Sequence, residues 1–138
     1  EMAAEFRVRV LTPMGEVLNT MARSLRVTAW DGQVGVLAGH APMVELLAIG
    51  PTLVTEADGT ERWLATVEGI MRVKRDEVVL LVAAAEEAPD IDVERAHRAL
   101  QRARERLGAR PAEVDISRAE LALSRAMNRL RVAEHGLG

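Results

Sequence analysis

Asp90-Ile91-Asp92-Val93-Glu94-Arg95-Ala96 divides the chain between two patterns of hydrophobicity. On its N-terminal side apolar residues alternate or run in short blocks cut by glycine, which is strand patterning. On its C-terminal side they recur every three or four residues to the end, which is helix patterning. The stretch also carries a helix-start signal: Pro89, then Asp90 and Asp92 as candidate caps, with Glu94 placing negative charge in the first turn. The expected architecture is mainly β plus α, with an antiparallel β-sandwich over residues 1–89 and a two-helix hairpin arm over 90–138.

Composition narrows the function classes. The chain has 138 residues, 49% of them hydrophobic, and a mean hydropathy of +0.01, which suits one globular domain with an appendage. There is no cysteine, and histidines at 40, 97 and 135 are too scattered to suggest a metal cluster. The net charge of -3 hides an asymmetry: residues 1–89 carry 8 basic and 13 acidic groups, and residues 90–138 carry 10 and 8. Neither half has the basic field of a nucleic-acid binder, and 2% aromatic content leaves little on which to stack bases. No apolar run approaches the roughly 20 residues that span a bilayer, and no stretch has the pattern of a signal peptide. A soluble protein is expected, held at any membrane through a partner.

Along the first 89 residues, Glu5–Leu11 alternates as a half-buried strand and Thr12-Pro13-Met14-Gly15 turns it. Glu16–Thr20 and Arg23–Trp30 read as two further strands. The glycine-rich segment Asp31–Pro42 lacks a Gly-Lys-Ser/Thr ending and a following long helix, so it reads as a bulged connecting loop and not as a phosphate loop. Met43–Ile49 and Thr52–Glu56 are strands separated by Gly50-Pro51. Asp58-Gly59 signals a hairpin before Thr60–Glu68, followed by Ile70–Lys74 and Val78–Ala84. Nine or ten short strands with an aliphatic core make a sandwich or flattened barrel.

In the arm, Ala96, Ala99, Leu100, Ala103 and Leu107 form one helical stripe, ended by Gly108 and Pro111. Ala119, Ala122, Leu123, Ala126, Met127, Leu130 and Ala133 form a second. So short a link makes the helices antiparallel. A seam so rich in alanine buries little surface, so the hairpin should be marginal alone and depend on the sandwich, a ligand or a partner.

Arginines give the clearest candidate chemistry. Arg95, Arg98 and Arg102 share a face of the first helix, and Arg118, Arg125 and Arg129 share one on the second. These are either solvated faces laced with glutamates or, folded together, a grip for an anion whose oxygens match the guanidinium fork. Catalysis lacks a constellation. His40 has no nucleophile motif nearby, Ser117 and Ser124 have no His or Asp at triad-like spacing, and Asp31, Asp76 and Glu86 form no evident pair.

Several segments together resemble the ε subunit of the rotary F-type ATP synthase. Phe6–Val10 with Leu11-Thr12-Pro13-Met14-Gly15 is similar to that family's opening strand and "TP-x-G" turn. Gly35–Pro42 resembles "GxLPGHxP", Val67–Val73 resembles "SGGFxEV", and Ile91–Ala96 matches "I/L-D-x-x-R-A". Arg118–Leu123 and Arg125–Leu130 resemble the family's second helix. Gln33, Ala38 and Glu68 depart from the family pattern, where an acid, a proline and a small residue are common.

The resemblance implies a ten-stranded sandwich with a helical hairpin, and a non-catalytic rotor subunit joining the γ subunit to the membrane ring of c subunits. The segment facing the ring or γ would include Asp31, Gln33, Gly39, His40 and Met43. It implies that the hairpin can leave its docked state, extend towards the catalytic α/β head and inhibit ATP hydrolysis. It further implies that the docked hairpin binds ATP as a regulatory ligand, through Glu86, Ile91, Asp92, Arg95, Ala96, Arg102, Arg125 and Arg129, with no cofactor required. The implied location is the cytoplasmic face of the bacterial inner membrane, without direct insertion into it. The competing reading is a free-standing β-sandwich adaptor whose Arg-rich hairpin binds polyanions such as RNA.

Overall fold

The computed structural model describes residues 4–109 and 113–136. Its N-terminal part is built from nine strands: β1 (Phe6–Thr12), β2 (Gly15–Ala29), β3 (Gly32–Leu37), β4 (Met43–Leu47), β5 (Gly50–Glu56), β6 (Glu61–Thr66), β7 (Gly69–Val73), β8 (Glu77–Val82) and β9 (Ala85–Glu87). A 3₁₀ turn at Ala88–Asp90 leads into α1 (Val93–Gly108) and then α2 (Glu113–Gly136). The expected sandwich followed by a helical hairpin is therefore what forms. Pro111 lies outside the described residues.

The strands hydrogen-bond in the order β1-β8-β7-β4-β2-β5-β6-β9, with β3 on β2 and a further β1–β2 pairing. Long β2 makes the closure possible. Its first part pairs with β1, with Phe6 opposite Ala22 and Val10 opposite Leu18. Its second part pairs with β3, with Leu25 opposite Val36, and with β5 on its other edge. Alternating residues from both layers, among them Val8, Val10, Leu25, Val27, Val54, Leu64, Met71 and Leu80, meet in one aliphatic core.

Three expectations needed revision. Glu16–Thr20 and Arg23–Trp30 are one 15-residue strand. No glycine or proline separates them, and the change of partner is absorbed by a register shift between Ala22 and Ser24. The glycine-rich segment read as a loop contains β3, because Trp30 and Asp31 alone turn the chain and register Ala29 against Gly32. Gly50 and Pro51, expected as a break, begin β5, with Pro51 opposite Ala65.

Gly69 has its own reason to be glycine. At the start of β7 a Cβ there would overlap the Leu81 carbonyl oxygen of the neighbouring strand. Only a hydrogen at that position lets β7 and β8 pair.

The arm lies against the sandwich through α2 and the 3₁₀ turn, while α1 packs on α2. Ala65, Ala88, Ile91, Val132 and Ala133 form a second small core, flanked by Trp63. In the hairpin Ala96 and Ala103 of α1, and Ala119 and Ala126 of α2, are buried at seven-residue spacing. They supply little apolar area, as expected of an alanine seam.

Candidate functional site

The site is assembled where α2 crosses the end of the sandwich. Asp92 caps α1: its side chain accepts from the Arg95 backbone N–H at 3.0 Å. Asp90, the other candidate cap, belongs to the 3₁₀ turn. Ile91, just before the cap, is buried in the small core, and Ala96 is buried one turn into the helix. Ile91 ties the start of α1 to the sandwich, and Ala96 begins the alanine seam of the hairpin.

On α2, Arg129 Nε donates to Glu86 Oε1 at 2.6 Å, so a residue of β9 holds a residue 43 positions later. One turn earlier, an Arg125 terminal nitrogen donates to Glu68 at 3.4 Å. Glu68, the acid standing where the resembled family has a small residue, thus takes one of the predicted anion-binding arginines. Both pairs remain substantially open to solvent, with side chains 35–44% exposed. Pairs so hydrated contribute about 0–1 kcal/mol each. The structure therefore brings Glu86, Arg125 and Arg129 to one edge of the arm, each guanidinium neutralised by a carboxylate. Arg95, Arg98 and Arg102 are exposed on α1 and form no ion pair with another described residue.

Pattern reading missed the strongest tie. Asn128 is only 6% exposed, and its Nδ2 donates to the carbonyls of Gly50 at 3.0 Å and Thr66 at 3.3 Å. Gly50 and Thr66 are register partners across β5 and β6. Thr66 Oγ1 also donates to Gly50 and lies 2.8 Å from Thr52 Oγ1. Near the end of α2, the His135 ring stacks on Trp63 with centroids 3.8 Å apart. No sequence period marks Asn128 as buried, since it stands among apolar and basic residues with no partner nearby in the chain.

The residues expected to face a partner are not gathered at a point. Asp31 lies in the turn before β3 and Gln33 at its start, whereas Gly39, His40 and Met43 follow its end. Six strand residues separate the groups by about 20 Å, so they form a strip along the surface, of which Gln33 also lines a groove beside α2. Within it Gly39 has φ 78, His40 Nδ1 lies 2.8 Å from the Ala41 carbonyl, and Met43 packs partly against the main core.

Among the described residues no group of acidic and histidine side chains could hold a metal. Among the described residues no helix is long and apolar enough to cross a membrane.

Comparison with known proteins matches both halves. Residues 5–88 match the ATP synthase Delta/Epsilon chain beta-sandwich domain, and residues 90–134 match the long alpha-helix domain of the same chain. An ATP synthase epsilon chain of Carboxydothermus hydrogenoformans is 43% identical over 109 residues, covering 79% of this chain and 81% of that one. That of Anoxybacillus flavithermus is 45% identical over 104 residues, covering 75% and 77%. Among solved structures, a chain of the Euglena gracilis mitochondrial ATP synthase assembly of OSCP, F1 and c-ring superposes with a TM-score of 0.81. It is 24% identical, and the match covers 100% of this chain and 84% of that one.

Proposed function

This chain belongs to the ATP synthase delta/epsilon family, and from that premise we propose that it is the non-catalytic central-stalk subunit whose helical arm is a ligand-sensitive brake. In this reading the sandwich couples the γ subunit to the c-ring through the strip from Asp31 to Met43. The complex sits at the cytoplasmic face of a bacterial inner membrane, and this subunit is held there peripherally. The arm restrains ATP hydrolysis when it leaves the sandwich and reaches the α/β head.

One observation carries the regulatory part: two arginines of α2 are held to the sandwich by Glu68 and Glu86 through pairs that remain largely hydrated. Such pairs exchange readily, and each leaves guanidinium donors uncommitted. Arg129 uses only its Nε among the described hydrogen bonds, so its terminal nitrogens can meet phosphate oxygens. ATP would take Arg125 and Arg129 with its phosphates, joined by Arg102 and Arg95 from α1, while Glu86 orients Arg129. Ile91, Asp92 and Ala96 shape the backbone at the start of α1 against which the base lies. Each charge-assisted bond contributes roughly 1.5–3 kcal/mol.

A ligand that binds only the docked arm stabilises it by RT ln(1 + [L]/Kd), about 2.7 kcal/mol at a hundredfold excess over Kd. The small core and alanine seam set a docking free energy low enough for a shift of that size to matter. Calorimetric titration with ATP tests the site. Arg125→Ala and Arg129→Ala should weaken binding at least about tenfold with the sandwich intact. Wild-type affinity in both variants would overturn it.

A further inference from the structure

The opposite flank of α2 closes a groove of about 560 Å³ against strands β2, β3, β5 and β6. Its volume falls in the range of small-molecule sites, roughly 300–1,000 Å³. Residues 124, 128, 131 and 135 follow i, i+4, i+7 and i+11 spacing, so they form one stripe of the helix facing this groove. Arg125 and Arg129 stand on the neighbouring stripe, turned towards Glu68 and Glu86. The two flanks differ in charge. Every ionisable side chain lining the groove is basic: Arg26 from β2, and Arg131 and His135 from α2. Among the described residues Arg26 and Arg131 pair with no carboxylate. Thr28, Gln33 and Ser124 add uncharged polar groups, and Leu53 with the Trp63 ring beneath His135 forms an apolar wall. Asn128 lines the same groove, and its Oδ1 is buried without a hydrogen-bond partner.

A cationic rim, an apolar wall and an unmet acceptor define a ligand by complementarity. Two guanidiniums ask for a phosphate, and the Asn128 oxygen asks for an O–H or N–H donor. We propose that this groove is a second ligand site, for a small phosphorylated molecule carrying hydroxyl groups, bound between the sandwich and the docked arm. Arg26 belongs to the sandwich and Arg131 to the arm, so one phosphate held by both ties the arm down. The proposal requires the arm docked as observed and does not depend on ATP binding at the Arg129 flank.

The test is an NMR titration of the full chain with ribose 5-phosphate at constant ionic strength, following the indole N–H of Trp63. A saturable shift is expected. Arg26→Ala with Arg131→Ala should weaken it at least about tenfold, while Arg98→Ala, on the exposed face of α1, leaves it unchanged. Both replaced residues are exposed, and the single variant Arg26→Gln serves if the double variant fails to fold, with the same direction of change expected. Absence of saturation, equal saturation by sulfate, or undiminished affinity in the groove variants would overturn the proposal. Loss of ATP binding in Arg129→Ala, measured separately, reports only on the other flank.

Discussion

Asn128 Nδ2 lies 3.0 Å from the carbonyl oxygen of Gly50, 78 residues away. This bond and its companion to the Thr66 carbonyl join the arm to the two strands it crosses. Because they are buried and directional, they fix one position of α2 on the sandwich, which an apolar contact alone would not. Asn128→Ala should reduce arm docking by about 1–3 kcal/mol, since it removes both of these buried hydrogen bonds. Hydrogen exchange should show α2 losing protection while β1 and β8 keep theirs. Equal protection of α2 in the variant would show that the amide holds nothing.

Glu86→Gln removes the charge opposite Arg129 but preserves the shape of the side chain. The pair is more than a third exposed on both sides, so the expected loss of docking without ligand is at most about 1 kcal/mol. Measured by hydrogen exchange of α2, a much larger loss would mean that the pair is less hydrated than its exposure implies.

Gly69→Ala acts on the sandwich and not on the arm. The added Cβ collides with backbone at Leu81 and Val82, which cannot rotate away as a side chain can. A loss of about 1–3 kcal/mol or more is expected in urea denaturation. Gly35→Ala, where a Cβ meets nothing within 4 Å, is the control and should cost far less.

Acid should loosen one corner of the sandwich through Glu56. The Thr20 hydroxyl donates to its carboxylate, as does Arg62, and together these hold the carboxyl below its ordinary value of 4.5. A depressed folded-state value means that the unfolded chain takes up the proton first as pH falls. The stabilisation is therefore present at neutral pH and is lost as pH drops below about 4.5 through the folded value. Glu56→Gln should lower the urea midpoint at pH 7 and flatten its decline between pH 5 and 3. A decline as steep as in the parent chain would assign acid sensitivity elsewhere.

What could be read from the chain follows from where its signals are local. The division at Asp90–Ala96 was legible because strand and helix periods meet there, and Asp92 does cap α1. The alternation of Phe6, Val8 and Val10 likewise marked β1 and its buried face. β3 was hidden because Gly32 and Gly35 suppress strand propensity, and its pairing comes from a distant partner, β2. Val132 and Asn128 fell outside the predicted apolar stripe because α2 buries two flanks, one on α1 and one on the sandwich. A single helical stripe follows the first and reaches the second at its edge, through Ala133. The arginine stripes were visible from spacing, but the carboxylates they meet come from β9 and from the β6–β7 connection, 43 and 57 residues away, beyond any periodicity.

Hydrogen exchange of α2 in the isolated chain, with and without saturating ATP, decides whether nucleotide holds the arm. A ligand-latched arm predicts that amides from about 119 to 133 exchange much more slowly with ATP, with no comparable change in β1, β2 or β8. Exchange of α2 that is equally slow in both samples would contradict a nucleotide-controlled arm and leave a permanently docked one.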